Sequence, residues 1–246
     1  MNNPLFYNDP TGMFVWSDAL GGTATDDELA QQLLTAISEG NRGEMGRVGD
    51  ILNKRASIVS SMQSALKAAE SPLLSPAERQ KIKDSINAYG KAGVDNGVTV
   101  GLTDDNTIGG FTQVEGKQVI VAFNPNDIDA ANVAHEGSHA RQGLEFVKTG
   151  KNVSLFQTEE EAYTVGALTS VGLAYENESK ISGPKYAPNG NTIWSVTFLQ
   201  PGLNPLADAK AQIAPNVVTH LTKNGITSTS KKGTQRAFPG LPAKWR

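Results

Sequence analysis

Between residues 25 and 92 the apolar positions recur at intervals of three and four. Thr25 can act as a cap, Asp26, Asp27 and Glu28 suit the positive end of a helix, and Leu29, Leu33, Leu34 and Ile37 follow at helical spacing before Gly40. A longer helix is predicted from about Glu44 to Glu70, where Val48, Ile51, Leu52, Ile58, Val59, Met62 and Leu66 form one apolar stripe. Ser75-Pro76-Ala77-Glu78 then supplies an N-cap, a proline at the first helical position and a reciprocal glutamate, which opens a third helix towards Ala92. Ahead of these helices, residues 3–13 combine aromatic side chains with Asp-Pro and Thr-Gly turn signals, and read as an extended segment ending in a turn.

The period shortens to two between Gly97 and Phe123. Val98 to Leu102, Gly110 to Val114 and Lys117 to Phe123 read as strands, the last two joined at Glu115-Gly116, which predicts a hairpin in a small sheet. Asn124-Pro125-Asn126-Asp127 breaks the strand and caps a helix from Ile128 to Val147, closed by Lys148 and Gly150. Further elements are a helix from Thr158 to Tyr175, a strand from Ile193 to Leu199 and a helix from Leu206 to Thr222. The pattern implies an α+β protein, mainly helical, with a small sheet containing antiparallel strands. No internal repeat is present. The chain divides into an opening segment (1–13), a helical part (14–92), a mixed region (93–230) and a basic end (231–246).

Composition narrows the chemistry. The 246 residues hold 25 acidic and 22 basic side chains, three histidines and no cysteine. Thiolate zinc sites, iron–sulfur clusters, disulfides and cysteine nucleophiles are therefore excluded, and any metal must be held by His, Asp or Glu. A net charge of −3 gives no footprint for general nucleic-acid binding. Neither an export signal nor an 18-residue apolar run is visible, so a soluble chain without a membrane span is expected. The last 16 residues carry five basic and no acidic side chains, a composition that usually means a solvated tail.

His135-Glu136-Gly137-Ser138-His139 is an H-E-x-x-H motif inside the predicted fourth helix. Four residues advance a helix by about 400°, so both imidazoles sit on one face and can bind one zinc ion. Glu136 can accept a proton from water activated by that metal. Random placement of this chain's residues would produce the motif roughly 0.002 times. A third ligand is needed, and Thr158-Glu159-Glu160-Glu161 on the next helix offers three candidates that spacing does not separate, although Glu160 points about 100° away from Glu159. His220 reads as a surface or core histidine rather than a group on the substrate. Tyr163 and Tyr186 are candidates to polarise a carbonyl, with packing the commoner role. Arg141 and Gln142 read as helix-fixing residues.

Two resemblances follow from these residues. His135-Glu136-x-x-His139 followed by Glu159 resembles the zincin superfamily of metallopeptidases, nearest its gluzincin branch, over residues 97–178. The resemblance implies a zincin-like fold, Zn2+ held by His135, His139 and Glu159, and Glu136 as catalytic base. It also implies that the strand from Lys117 to Phe123 borders the cleft where an extended substrate adds. The branch typified by thermolysin continues Glu-x-x-x-Asp, whereas Tyr163 stands in place of that aspartate, so the residues that support the ligands are unassigned.

Pro4-x-x-x-x-Asp9-Pro10-x-Gly12-Met13 is similar to the sequence that ends the core of Rhs/YD-repeat proteins. That resemblance implies a polymorphic toxin tip, freed from an Rhs shell, delivered into a neighbouring cell by a secretion apparatus such as type VI, and neutralised by a cognate immunity protein. Together they lead us to expect a zinc metallopeptidase toxin acting on a protein or peptide substrate. The alternatives are a zinc peptidoglycan peptidase or amidase, and a non-enzymatic effector tip with structural zinc.

Overall fold

A computed structural model of the chain describes residues 14–90, 95–177 and 205–238, leaving aside the side chains of residues 175–177 and 205–209. The opening motif, Tyr186, the strand expected at 193–199 and residues 239–246 lie outside the described residues.

The helices form where caps and stripes place them. Thr25 and Glu28 make a reciprocal capping box at the start of α1 (Asp26–Glu39), and Gly40 closes it in the left-handed conformation with φ 66°. Asn41 caps α2 (Arg42–Ala68), and Ser75 and Glu78 form a second capping box on α3 (Pro76–Asn87). α3 stops short of the expected Ala92, because Gly90 is left-handed and the Asn96 amide donates to the carbonyl of Tyr89 at 2.8 Å. The next helix, α4 (Ala130–Thr149), begins at the N-cap Asp129, whose carboxylate accepts from the Asn132 N–H at 2.8 Å. α5 (Leu155–Asn177) begins three residues earlier than expected because Ser154 and Gln157 cap it reciprocally. α6 (Pro205–Lys223) and the short α7 (Lys231–Thr234) complete the helices among the described residues.

Four strands form one mixed sheet: β1 (Val15–Trp16), β2 (Val98–Leu102), β3 (Gly110–Glu115) and β4 (Gln118–Phe123), in the order β1-β2-β4-β3. The expected hairpin is β3–β4, with Val114 opposite Val119. The other two pairings are parallel: β2 with β4, Val100 opposite Val121, and β1 with β2, Val15 opposite Thr99. A two-residue strand carries no readable alternation, so β1 had no signal in the pattern. This topology corrects one expectation: β4 is paired on both sides, by β2 and β3, and has no free edge for a substrate. Among the described residues the edge strands are β1 and β3.

One apolar core joins the early helices, the sheet and the later helices, from Phe14 through Ile58, Met62, Tyr89, Val121, Val133 and Leu168 to Phe238. α4 crosses the middle of it. At Gly137 a Cβ would run into the carbonyl oxygen of Ser85, so glycine inside the motif lets α3 pack directly on α4. The basic side chains of 231–238, Lys231, Lys232 and Arg236, are exposed, while the segment is anchored at Phe238: Asn152 accepts from its N–H and donates to its carbonyl, and its ring stacks on Phe146 with ring centres 5.6 Å apart. No helix among the described residues is long and apolar enough to cross a membrane.

Candidate metal centre

The H-E-x-x-H residues sit in the first half of α4, buried between the sheet and α5. His135 and His139 are one turn apart, with ring centres 4.8 Å apart. Their Nε2 atoms lie 3.8 and 3.6 Å from one carboxylate oxygen of Glu159 on α5. One donor atom from each residue falls within 4.8 Å of the other two. A tetrahedral zinc ion with bonds of about 2.0–2.1 Å holds its ligand atoms about 3.4 Å apart, so the two imidazole–carboxylate separations are only slightly longer than a bound ion requires. Two imidazole nitrogens, one carboxylate oxygen and no thiolate form a donor set that fits a divalent metal.

The helix-to-helix return separates the three glutamates that spacing left open. Glu159 joins the two histidines, while Glu161 takes different partners: its two oxygens accept from Arg141 Nη2 at 2.7 Å and from Gln142 Nε2 at 2.8 Å. Gln142 Oε1 lies 3.0 Å from Nδ1 of His139. His135 Nδ1 is buried without a hydrogen-bond partner among the described residues.

Glu136 is 3% exposed and faces β3. Thr112 donates to its Oε2 at 2.7 Å. A Cβ at Gly110 would meet the Ala122 carbonyl oxygen at 2.9 Å and Oε1 of Glu136 at 3.2 Å, so this strand position has room for the carboxylate only as glycine. Neither residue carried a signal in the sequence, because nothing in a strand's alternation marks which position meets a helix carboxylate.

Electrostatics divide the four groups. Burial, reinforced by the charge of His139, holds the His135 imidazole down at about 3. Burial lifts Glu136 to about 7, against the opposing pull of His139 and the Thr112 hydroxyl. Burial also disfavours a charged His139, yet the hydrogen bond and negative charge of Glu159 prevail and raise it to about 9. Glu159 is the mirror case: burial would raise it, and the histidines bring it down to about 2. Without metal, then, a proton on His139 neutralises Glu159 at the point where a cation would do so.

A cleft of about 900 Å³ opens over these residues, between β3, the start of α4, α5, α6 and the chain's last described residues. Its wall includes two groups that the sequence left in ordinary roles. Tyr163 stacks edge-on to His135 with ring centres 4.5 Å apart, and His220 lies 4.5 Å beyond Tyr163. Burial raises the Tyr163 phenol above its ordinary value, and lowers His220, so both are neutral near pH 7. The helical period put His220 beside Val217 and Val218 but gave no means of knowing that α6 returns to the cleft.

Comparison of the chain with protein-family models, curated proteins and solved structures returned no match.

Proposed function

We propose that this chain is a zinc-dependent metallopeptidase of zincin-like type, and that it serves as the toxin tip of an Rhs/YD-repeat protein. The observation that carries the enzymatic reading is the convergence of His135, His139 and Glu159 within 4.8 Å beside a buried Glu136, in a cleft bordered by β3. Two imidazoles and a carboxylate with no thiolate suit zinc, and three protein ligands leave a position free for chemistry, as catalytic zinc requires. A structural site needs a fourth protein ligand, and among the described residues only three gather here. Delivery as a toxin rests on the sequence from Pro4 to Met13.

When bound, zinc supplies the Lewis acidity that makes peptide hydrolysis feasible at neutral pH. The protein's own groups supply the rest. Among the described residues the outer edge of β3 has no strand partner, and an extended peptide adding there as a strand would lay its backbone across the cleft. Glu136, with Oε2 held by Thr112, takes the proton of the attacking water on Oε1 and returns it to the leaving amine. Tyr163 and His220, which line the cleft beside His135, would donate hydrogen bonds to the substrate carbonyl oxygen as it gains charge.

The test is expression of wild type and Glu136→Gln in the cytosol and, separately, the periplasm of bacteria. Wild type should arrest growth, and Glu136→Gln should be harmless while retaining one zinc per chain by elemental analysis. Equal toxicity of the two forms would sink the mechanism. Arrest confined to the periplasm would redirect the substrate from cytosolic protein to the peptides of peptidoglycan.

A further inference from the structure

We propose that Gln142 and Glu161 are positioning residues that lock the tautomer of His139, so that its Nε2 carries the lone pair presented to the metal. The inference rests on the metal-centre reading above and concerns how this chain orients one of its ligands.

The argument is one of donor and acceptor polarity along a chain of four side chains. Arg141 can only donate, and its Nη2 reaches one oxygen of Glu161 at 2.7 Å. The Glu161 carboxylate accepts on both oxygens, so the group that Gln142 turns to the second of them, 2.8 Å away, is the amide NH2. The carbonyl oxygen of Thr158, 3.4 Å from the same nitrogen, makes the same demand. With the NH2 committed, the Gln142 oxygen is what lies 3.0 Å from Nδ1 of His139. An amide oxygen accepts only, which puts a proton on Nδ1 and leaves Nε2 as the ligand atom of the neutral ring. That nitrogen is the one facing Glu159. Gln142 is buried, so water does not compete for the bond, and His135 Nδ1 has no comparable partner among the described residues. α5 therefore contributes twice: Glu159 as a ligand, and Glu161, two residues on, as the polarity source that orients a ligand on α4.

The polarity can be reversed without changing shape. In Glu161→Gln, Arg141 still demands an oxygen, which turns the new NH2 towards Gln142. Two amide NH2 groups then oppose one another, or Gln142 flips and presents NH2 to His139, which requires the wrong tautomer. Adding Gln142→Glu to Glu161→Gln restores the polarity between the side chains: the new carboxylate accepts from both His139 Nδ1–H and the amide at 161, and only the long 3.4 Å approach to the Thr158 carbonyl loses its donor.

The experiment is titration of the full chain, stripped of metal, with Co2+ alone, followed by its visible ligand-field spectrum. Melting temperatures of the metal-free forms are measured alongside. Glu161→Gln and Gln142→Leu should each weaken Co2+ binding about 10- to 100-fold, and the Gln142→Glu, Glu161→Gln double variant should recover to within a few-fold of wild type. Because 161 is half-exposed and the change isosteric, Glu161→Gln keeps the test valid should Gln142→Leu fail to fold. Wild-type affinity in Glu161→Gln, or a double variant as weak as the worse single one, overturns the proposal. Absence of Co2+ binding by wild type would instead remove the metal reading, and this inference with it.

Discussion

At the residue scale, the site is a balance between burial and charge in which one proton stands in for a metal ion. His139 is held near 9 by Glu159, while the ligand form of histidine is neutral, so metal uptake at neutral pH must expel that proton. Proton and metal compete, and affinity rises with pH until His139 loses its proton unaided. Between pH 7.5 and 8.5 the dissociation constant for zinc should tighten about tenfold, with about one proton released in calorimetric titrations run in buffers of different ionisation enthalpy. A dissociation constant flat over that range, with no proton release, would contradict the assignment of His139. Much of this site was legible beforehand, because the spacing of H-E-x-x-H puts both histidines on one face of a helix. Spacing narrowed the third candidate ligand to three adjacent glutamates, and only the resemblance singled out Glu159, since the choice depends on where α5 crosses α4. Thr112, Gly110, Gln142 and His220 had no readable signal, as each acts through a contact between elements distant in sequence.

At the scale of elements, the helices were written in caps and stripes, and the sheet only in part. Ser75-Pro76-Ala77-Glu78 and Thr25-x-x-Glu28 specify their own helix starts through local hydrogen bonds. The order of strands is set by packing, so the inner place of β4 and the edge place of β3 emerged only in three dimensions. One clue in α2 went unread. The buried positions 48, 51, 55, 58, 62 and 65 follow a regular helical period, and residue 55 in that series is an arginine. Its guanidinium is 2% exposed, donates to the carbonyls of Leu20 and Ala24 at 2.7 and 2.8 Å and to Asp26 at 2.7 Å, and lies 5.0 Å over the Trp16 ring. It ties the segment before α1 to the middle of α2. Arg55→Met keeps the stem but orphans those carbonyls, and should cost about 3 kcal/mol in chemical denaturation. A loss under 1 kcal/mol would show that the clamp is dispensable. Leu34 and Ile37, by contrast, belong to a readable helix stripe yet are exposed, so periodicity identified the helix without fixing which face is buried.

At the scale of the whole molecule, α4 is the element on which everything else depends: it packs on α3 through Gly137, on the sheet through Gly143, and on α5 through the metal-centre residues. Metal bound at this centre would thus be coupled to the stability of the core. Zinc at a hundred times its dissociation constant should stabilise the folded chain by about 2.7 kcal/mol, seen as a higher melting temperature that a chelator reverses. An unchanged melting temperature in the presence of excess zinc would separate the site from the fold. The near-neutral charge and the absence of cysteine, which first only excluded other chemistries, agree with a protein whose reactivity is gathered at one buried centre. The central claim is that this centre hydrolyses peptide bonds with Glu136 as its base. Its most direct measurement is mass-spectrometric profiling of new protein N-termini in bacteria expressing wild type or Glu136→Gln, with zinc content determined for both. New N-termini that appear with wild type and are absent with the zinc-loaded variant are the expected result; the same N-termini in both would contradict it.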